Sequence, residues 1–583
     1  MKIAMFRLKG ALAVMVTVTL LSSSVTTVFG APRIPRSEID EIRTFGINPL
    51  FDPAEAVGAG TVDRQSCTTS GDPTADIDIS CDDPIAPDNE LAIVANPENP
   101  DHLLAGSNDY QLDFRGATAI VRIPVGSFVS FDGGTTWTDS QVPLGNSSLG
   151  TGDPSPVFNA KYDSVHMASL GFVCGQLAPL CTRGNIQVAT SWDGGLTWER
   201  PVTVARGIGS DAAAQEIFND KEWITADNDP ASPFYGRMYL VWVAFRIEKG
   251  AFDESPVMFS YSDDAGQTWT QPQEISGRSE DYCTFQDDGN DVARGEDGFE
   301  CDQDQFAYPA VGPGGVLYVH FHNEQNEQAW EAPEMYESQI MVVKSTDGGE
   351  TWSAPQHVVQ LEDSYTAPPV GDSGDYPLNV DNRTTMTGHQ FRVNSAGNIA
   401  VDPNNGNIYI VFADNADGQN SQANPVTDTN IFLAYSSDGG ATWQGGDDGT
   451  NTNPGTRIRV DASPESDQWF PWVDVNPTDG SVHVLYMDGR TDRDLYDITI
   501  ASWTGAGAPS FALQVVSQAP SNPDNSLFFR AGVAGCEGCA TFIGDYNGIA
   551  VDILDRIHGV WTDTRRPVTP DGRTVQDAFY ARR

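Results

Sequence analysis

Carboxylates recur at one point of a repeated strand pattern. Each repeat is an apolar strand, a tight Asp-Pro or Gly-Asn turn, and a second apolar strand ending on a polar residue. Clear copies occupy 90–109, 222–245, 306–323, 398–414, 469–488 and 548–563, with a weaker one at 153–171. Around the starts of the first strands stand Asp88-Asn89-Glu90, Asp153, Asp220-Lys221-Glu222, Asp304-Gln305, Asp467-Gln468 and Asp545-Tyr546. The second strands end in His322-Asn323, Asp414, Asp488-Gly489-Arg490 and Asp563-Thr564-Arg565. Several carboxyls gathered at one axis must either share protons, with raised pKa values, or surround a cation. The first case suits acid/base work on a glycosidic bond, which needs one protonated and one ionised carboxyl and no cofactor. The second suits a hard cation such as Ca2+. Asp220, Glu222, Asp304, Asp467 and Asp545 are the candidate acid/base source, with Tyr546 beside them and Arg246, Arg490, Arg565 and His322 as candidate substrate-binding groups. The acidic loop 279–304, with Asp287, Asp288 and Asp291, is a second candidate metal site, although it lacks EF-hand spacing. The competing reading is structural: such residues cap strand ends and tie neighbouring repeats through Asp/Arg pairs.

What could hold these groups in a ring is a second repeat. The pattern SxDxGxTW occurs five times without a mismatch: SFDGGTTW (130–137), SWDGGLTW (191–198), SDDAGQTW (262–269), STDGGETW (345–352) and SSDGGATW (436–443). Its logic is that of a hairpin turn. The Asp bonds the turn's own amides, glycine accepts a positive φ, and the Trp packs beneath. These Asp residues are therefore read as structural.

The motifs are Asp-boxes, also called BNR repeats, and with them the chain resembles the sialidase-like β-propeller superfamily. The resemblance implies an all-β propeller. Seven strand-turn-strand copies predict seven blades, with six as the alternative, and the last blade, short of a strand, is closed by one from the N-terminal region. The domain reading is a signal peptide over 1–30, an N-terminal segment over 31–88 containing the closing strand, and one propeller over 89–583. In a four-stranded meander the third-to-fourth turns, where the boxes fall, lie on the face opposite the first-strand starts. Long loops such as 274–304 and 361–390 are read onto that second face, so function is expected there.

A sialidase resemblance further implies three carboxylate-gripping arginines, a Tyr nucleophile with a Glu partner, and an Asp acid/base. The family's Arg-Ile-Pro motif occurs twice, at Arg33-Ile34-Pro35 in the N-terminal tail and at Arg122-Ile123-Pro124 on a strand leading to the first box, and neither position suits an inner-strand arginine. The reading is an exported propeller acting on carbohydrate, as an exo-sialidase-like glycoside hydrolase. The alternatives are a non-catalytic propeller that binds a glycan or a protein on its loop face, and a polysaccharide lyase.

Composition bounds the partners. With 33 Lys+Arg against 81 Asp+Glu the formal charge is −48, which opposes nucleic acid and anionic membranes, and an anionic sugar must be held against the same field. The basic start and apolar run of residues 1–30 read as a secretory signal, and no later segment is long enough to insert in a bilayer, so the chain is expected to be secreted or periplasmic. Export suits the eight cysteines, which fall into four local pairs: Cys67 with Cys81, Cys174 with Cys181, Cys283 with Cys301, and Cys536 with Cys539.

Overall fold

The computed structural model describes residues 65–68 and 75–583 apart from stretches within loops, the longest being 285–297, 327–336, 363–384 and 527–541. Residues 1–30, Arg33 and the acidic candidates Asp287, Asp288 and Asp291 lie outside the described residues.

Strands alternate with short turns into seven antiparallel sheets, and the first strands of successive sheets pack against one another around an axis. Blade 1 runs Asp88–Ala95, Leu103–Asp109, Val125–Ser130 and Thr136–Val142, with Gln65–Thr68 added at its outer edge. Blade 2 comprises Gly150–Asn159, Ser164–Cys174, Cys181–Ser191 and Val202–Ala205, so the weak repeat at 153–171 is a full blade. The first strands of blades 3 to 7 are Gln215–Ala226, Asp304–Gly312, Ile399–Val401, Gln468–Val475 and Gly548–Val551. Blade 7 receives its fourth strand from Ile77–Asp78, where Ile77 faces Tyr580 and Asp78 faces Phe579. The ring is thereby closed by non-covalent pairing of the two ends of the propeller, as the missing strand demanded. Arg122 ends a separate ribbon, Thr118–Arg122 against Gln111–Arg115, inserted before the third strand of blade 1.

Each Asp-box sits between a third and a fourth strand and repeats one hydrogen-bond set. In blade 4, Asp347 accepts from Ser345 Oγ at 2.8 Å, Thr351 N at 2.9 Å and Thr351 Oγ1 at 2.6 Å, while Gly349 N donates to Ser345 Oγ. The other four boxes repeat it through Asp132, Asp193, Asp264 and Asp438. The boxes also do something their spacing does not announce. The carbonyl of the fourth box residue accepts a side chain from the preceding blade in every copy: Arg582 to Gly133, His102 to Gly194, Thr190 to Ala265, Arg237 to Gly348 and Lys344 to Gly439. One turn therefore closes a hairpin and clasps two blades. In blade 5 the fourth strand, Ile458–Arg459, starts well after the box, so residues 444–457 belong to the third-to-fourth connection rather than to the opposite face; there Asp447 bonds His357 and Gln360 of blade 4.

Cys283 and Cys301 form a buried disulfide with Cα atoms 5.3 Å apart. Cys81 is also disulfide-bonded. Cys174 and Cys181 are register partners across blade 2. The fourth expected pair is not placed, because Cys536 and Cys539 both fall in the stretch 527–541, outside the described residues.

Hydrogen bonds hold the Asp347 and Asp438 carboxyls down to about 2. A depressed folded pKa stabilises above the unfolded value and is lost as pH falls through the folded one. Asp347→Ala should lower stability by about 1–2 kcal/mol, the worth of two or so partly exposed hydrogen bonds, with the difference complete above about pH 4 and shrinking toward pH 2. Urea titrations at several pH values read this directly.

Candidate functional site

The first strands do not run straight into the channel. In blades 1, 2, 3, 4 and 6 the register with the second strand slips at one equivalent place. The slipped residues are left-handed: Glu90 (φ 58°), Asp153 (φ 56°), Lys221 (φ 57°), Phe306 (φ 50°) and Phe470 (φ 49°). A bulge of this kind re-aims a side chain, and holding a non-glycine there costs about 1–3 kcal/mol. Three of the five are charged and line one cavity of about 40 Å³, together with Asn108, Tyr110, Asp220, Phe172, Arg392 and Phe542.

Carboxyls converge on this cavity from four blades. One oxygen each of Asp153, Asp220 and Glu222 lies within 4.8 Å of the others. Glu90 accepts from Asn108 Nδ2 at 2.6 Å, and Asn108 Oδ1 accepts from the Asp153 amide at 2.8 Å. Among the described residues, no other residue gives the buried Glu222 carboxyl a hydrogen bond. Asp545 takes the cations: Lys221 Nζ, Arg392 Nη2 at 2.5 Å and Arg392 Nε at 3.2 Å. Arg392 in turn lies over the Phe542 ring, 4.7 Å from its centroid. Beneath the acids, Trp223, Tyr308, Trp472 and Tyr546 pack edge to face or tilted around the axis.

The environment splits these carboxyls. Burial pushes Asp220 up to about 7, assisted by Asp153 and Asp545 and opposed by Lys221. Burial, and then Asp153 with its neighbours, raises Glu90 and Glu222 well above the usual range. Burial acts on Asp545 in the same direction, but Arg392 and Lys221 outweigh it and hold that group ionised. Lys221 is kept charged by Asp545, Asp220 and Asp153 against the effect of its burial. Asp153 is the least buried of the five and opens onto the cavity.

Of the sequence candidates, Asp220, Glu222 and Asp545 meet here, and Tyr546 lies directly below with its hydroxyl donating to the Pro154 carbonyl at 3.4 Å. The remainder do not join them. Asp304 accepts from Asn323 Nδ2 at 2.8 Å within blade 4, and Asp467 accepts from the Thr429 amide at 2.9 Å between blades 5 and 6; both are strand-end ties. Arg246 pairs with Glu254 and Glu274, and Arg565 with Asp563 and Asp76. His322 is buried away from the cavity and pushed down to about 4, hence neutral. The side chain of Arg490 lies outside the described residues. Glu90 and Asp153, noted only as members of the carboxylate series, are not among the sequence candidates for the site, and neither are Lys221 and Arg392. Lys221 shares the register of Glu90 and Asp153, a usable signal, whereas Arg392 arrives from the segment before blade 5 with no pattern to mark it.

No family model and no curated protein matches the chain. Solved structures of similar outline include a Penicillium chrysogenum alpha-L-arabinanase complexed with arabinobiose (13% identity, 75% of this chain and 98% of that one, TM-score 0.41). A Fusarium graminearum GH93 alpha-L-arabinofuranosidase, also with arabinobiose, aligns at 11% identity over 76% of this chain and 97% of its own, TM-score 0.40. The Hadza microbial sialidase Hz136 aligns at 11% identity over 87% and 95%, TM-score 0.39. The fold is a seven-bladed β-propeller with Asp-box turns.

Removing Lys221 leaves Asp545 buried with one cation in place of two. Lys221→Met should cost about 3 kcal/mol, and Lys221→Met/Asp545→Asn should be less destabilised than the sum of the single variants. Denaturant unfolding of the four proteins in the cycle measures the coupling.

Proposed function

We propose that the chain is a glycoside hydrolase working at this cavity, with Asp220 as proton donor and Asp153 as its partner carboxylate. The observation that carries the reading is the pair itself: two carboxyls of a single buried cluster within 4.8 Å, one of them poised near neutrality at about 7. That spacing fits the closer, retaining arrangement better than the ~6.5–9.5 Å an inverting pair leaves for water. Asp220 gives its proton to the glycosidic oxygen as the C–O bond breaks, and Asp153 forms an ester with the anomeric carbon. Water then replaces the ester oxygen, giving its proton to the Asp220 carboxylate and releasing Asp153 ionised, so both groups return to their starting state. Glu90, held protonated and hydrogen-bonded to Asp153, orients the nucleophile. A cavity of about 40 Å³ admits the scissile oxygen and a water, while the sugar ring rests at the mouth.

The substrate favoured is a neutral glycoside. An exo-sialidase site would need three guanidiniums on one carboxylate; among the described residues lining the cavity the one guanidinium is Arg392, and Asp545 already neutralises it. A second reading of the same residues rests on Glu222, whose two buried oxygens have no partner in another residue among the described ones: Asp153, Asp220 and Glu222 would ligate a Ca2+ ion and help to bind, rather than cleave, a glycan.

Against a panel of neutral chromogenic glycosides, Asp220→Asn should lower kcat about 10²–10⁴-fold without loss of folded protein. In the wild type the rate should fall as pH rises past about 7, because the donor must be protonated. Calcium titration separates the readings. Saturable Ca2+ binding lost in Glu222→Gln, with no hydrolysis of any glycoside, replaces the hydrolase by the binding propeller, whereas activity unaffected by chelator supports the acid/base pair.

A further inference from the structure

The larger concavity lies on the other face of the ring. Between blades 1 and 2, on the side of the Asp-boxes, a groove of about 260 Å³ is walled by the first-to-second turns and the box turns of both blades. Its sides carry two exposed rings, Phe131 (47% exposed) and Trp192 (46%), the two aromatics among the five large apolar side chains exposed in the described residues. Both occupy the second position of a box, which in the other three boxes is Asp263, Thr346 or Ser437. The turn geometry projects this position outward in every copy, so its side chain is free to vary.

Phe131 is held in place. The His102 ring stacks on it at 4.5 Å and 25°, and His102 is fixed by Asn96 Nδ2 on one nitrogen and the Gly194 carbonyl at 2.8 Å on the other. Burial lowers the His102 pKa, which leaves the ring neutral and adds no positive charge. The groove's polar lining is acidic: the carboxylates of Glu98 and Asp163 have no hydrogen-bond or ion-pair partner among the described residues, and no lysine or arginine lines the groove among them.

We propose that this groove binds an organic ammonium cation, its methylene or methyl shell against the Phe131 and Trp192 faces and its charge facing Glu98 and Asp163. Two aromatic faces and two unneutralised carboxylates are complementary to a positive, weakly hydrated head group, and cation–π attraction adds to the Coulomb term. A neutral saccharide would use the rings and leave the carboxylates without a counter-charge. The groove shares no lining residue with the carboxyl cluster, so the inference does not depend on the hydrolase reading.

Choline and its neutral isostere 3,3-dimethyl-1-butanol, titrated calorimetrically into the full chain, test this. Choline should bind saturably, at least tenfold tighter than the isostere, with affinity falling as NaCl is raised. Trp192→Ala and Asp163→Asn should each weaken binding about tenfold or more, with unchanged melting temperatures to show that folding is intact. Equal affinity for the isostere would reduce the groove to an apolar hollow. Absence of saturable choline binding, binding of a neutral disaccharide in its place, or full affinity in Trp192→Ala would each overturn the proposal.

Discussion

Five carboxyl groups meet two cations at one end of the channel, and the rest of the site follows from that imbalance. Glu90, Asp153, Asp220, Glu222 and Asp545 cannot all be ionised within a few ångströms of one another in a buried setting. Lys221 and Arg392 both commit to Asp545, which fixes where negative charge stays. Burial then favours the protonated forms of Glu90, Asp220 and Glu222. Had either cation been shared evenly around the ring, the carboxyls would resemble one another and no member would be poised for proton transfer. The asymmetry of the ion pairs is what separates an acid from a base.

The scaffold supplies the rigidity this requires. Strained backbone at Glu90, Asp153 and Lys221 persists only if the surroundings over-determine it. Below the acids lies a stack of four aromatic side chains, and at the far ends of blades 1 to 5 the box carbonyls clasp each of these sheets to the preceding one. Strand pairing of Ile77–Asp78 with blade 7 completes that blade and joins the two ends of the chain's ring. The equivalent left-handed residues of the first strands lie on the face opposite the boxes.

Much of this was legible in the chain. The box motif and the strand-turn-strand repeat sufficed for seven blades and the closing strand, because each is a local pattern with a local physical cause. The site was half legible. An acid at the start of a first strand occurs in six blades, but the register slip at that acid or up to three residues later decides which residue is re-aimed. In blades 1 to 3 the slipped residue is Glu90, Asp153 or Lys221; in blades 4 and 6 it is Phe306 or Phe470, and there the acids Asp304 and Asp467 turn to strand-end amides. The arginines were less readable still. Arg246 and Arg565 find carboxylates close in sequence, the cheaper pairing in a chain so rich in acid, while the arginine that reaches the cavity comes from 153 residues away.

The net charge of −48 therefore has two different meanings in one molecule. At the boxes each Asp is satisfied by hydrogen bonds to its own turn and is inert. At the channel mouth the acids are bound to each other's protons and to two cations, which leaves little field to repel a neutral ligand there. In the box-face groove Glu98 and Asp163 are neither, so their negative charge is left uncompensated by any lysine or arginine among the described lining residues. An anionic substrate is opposed at all of these places, a neutral one at none, and a cation is drawn to the face that the repeat pattern had marked as purely structural.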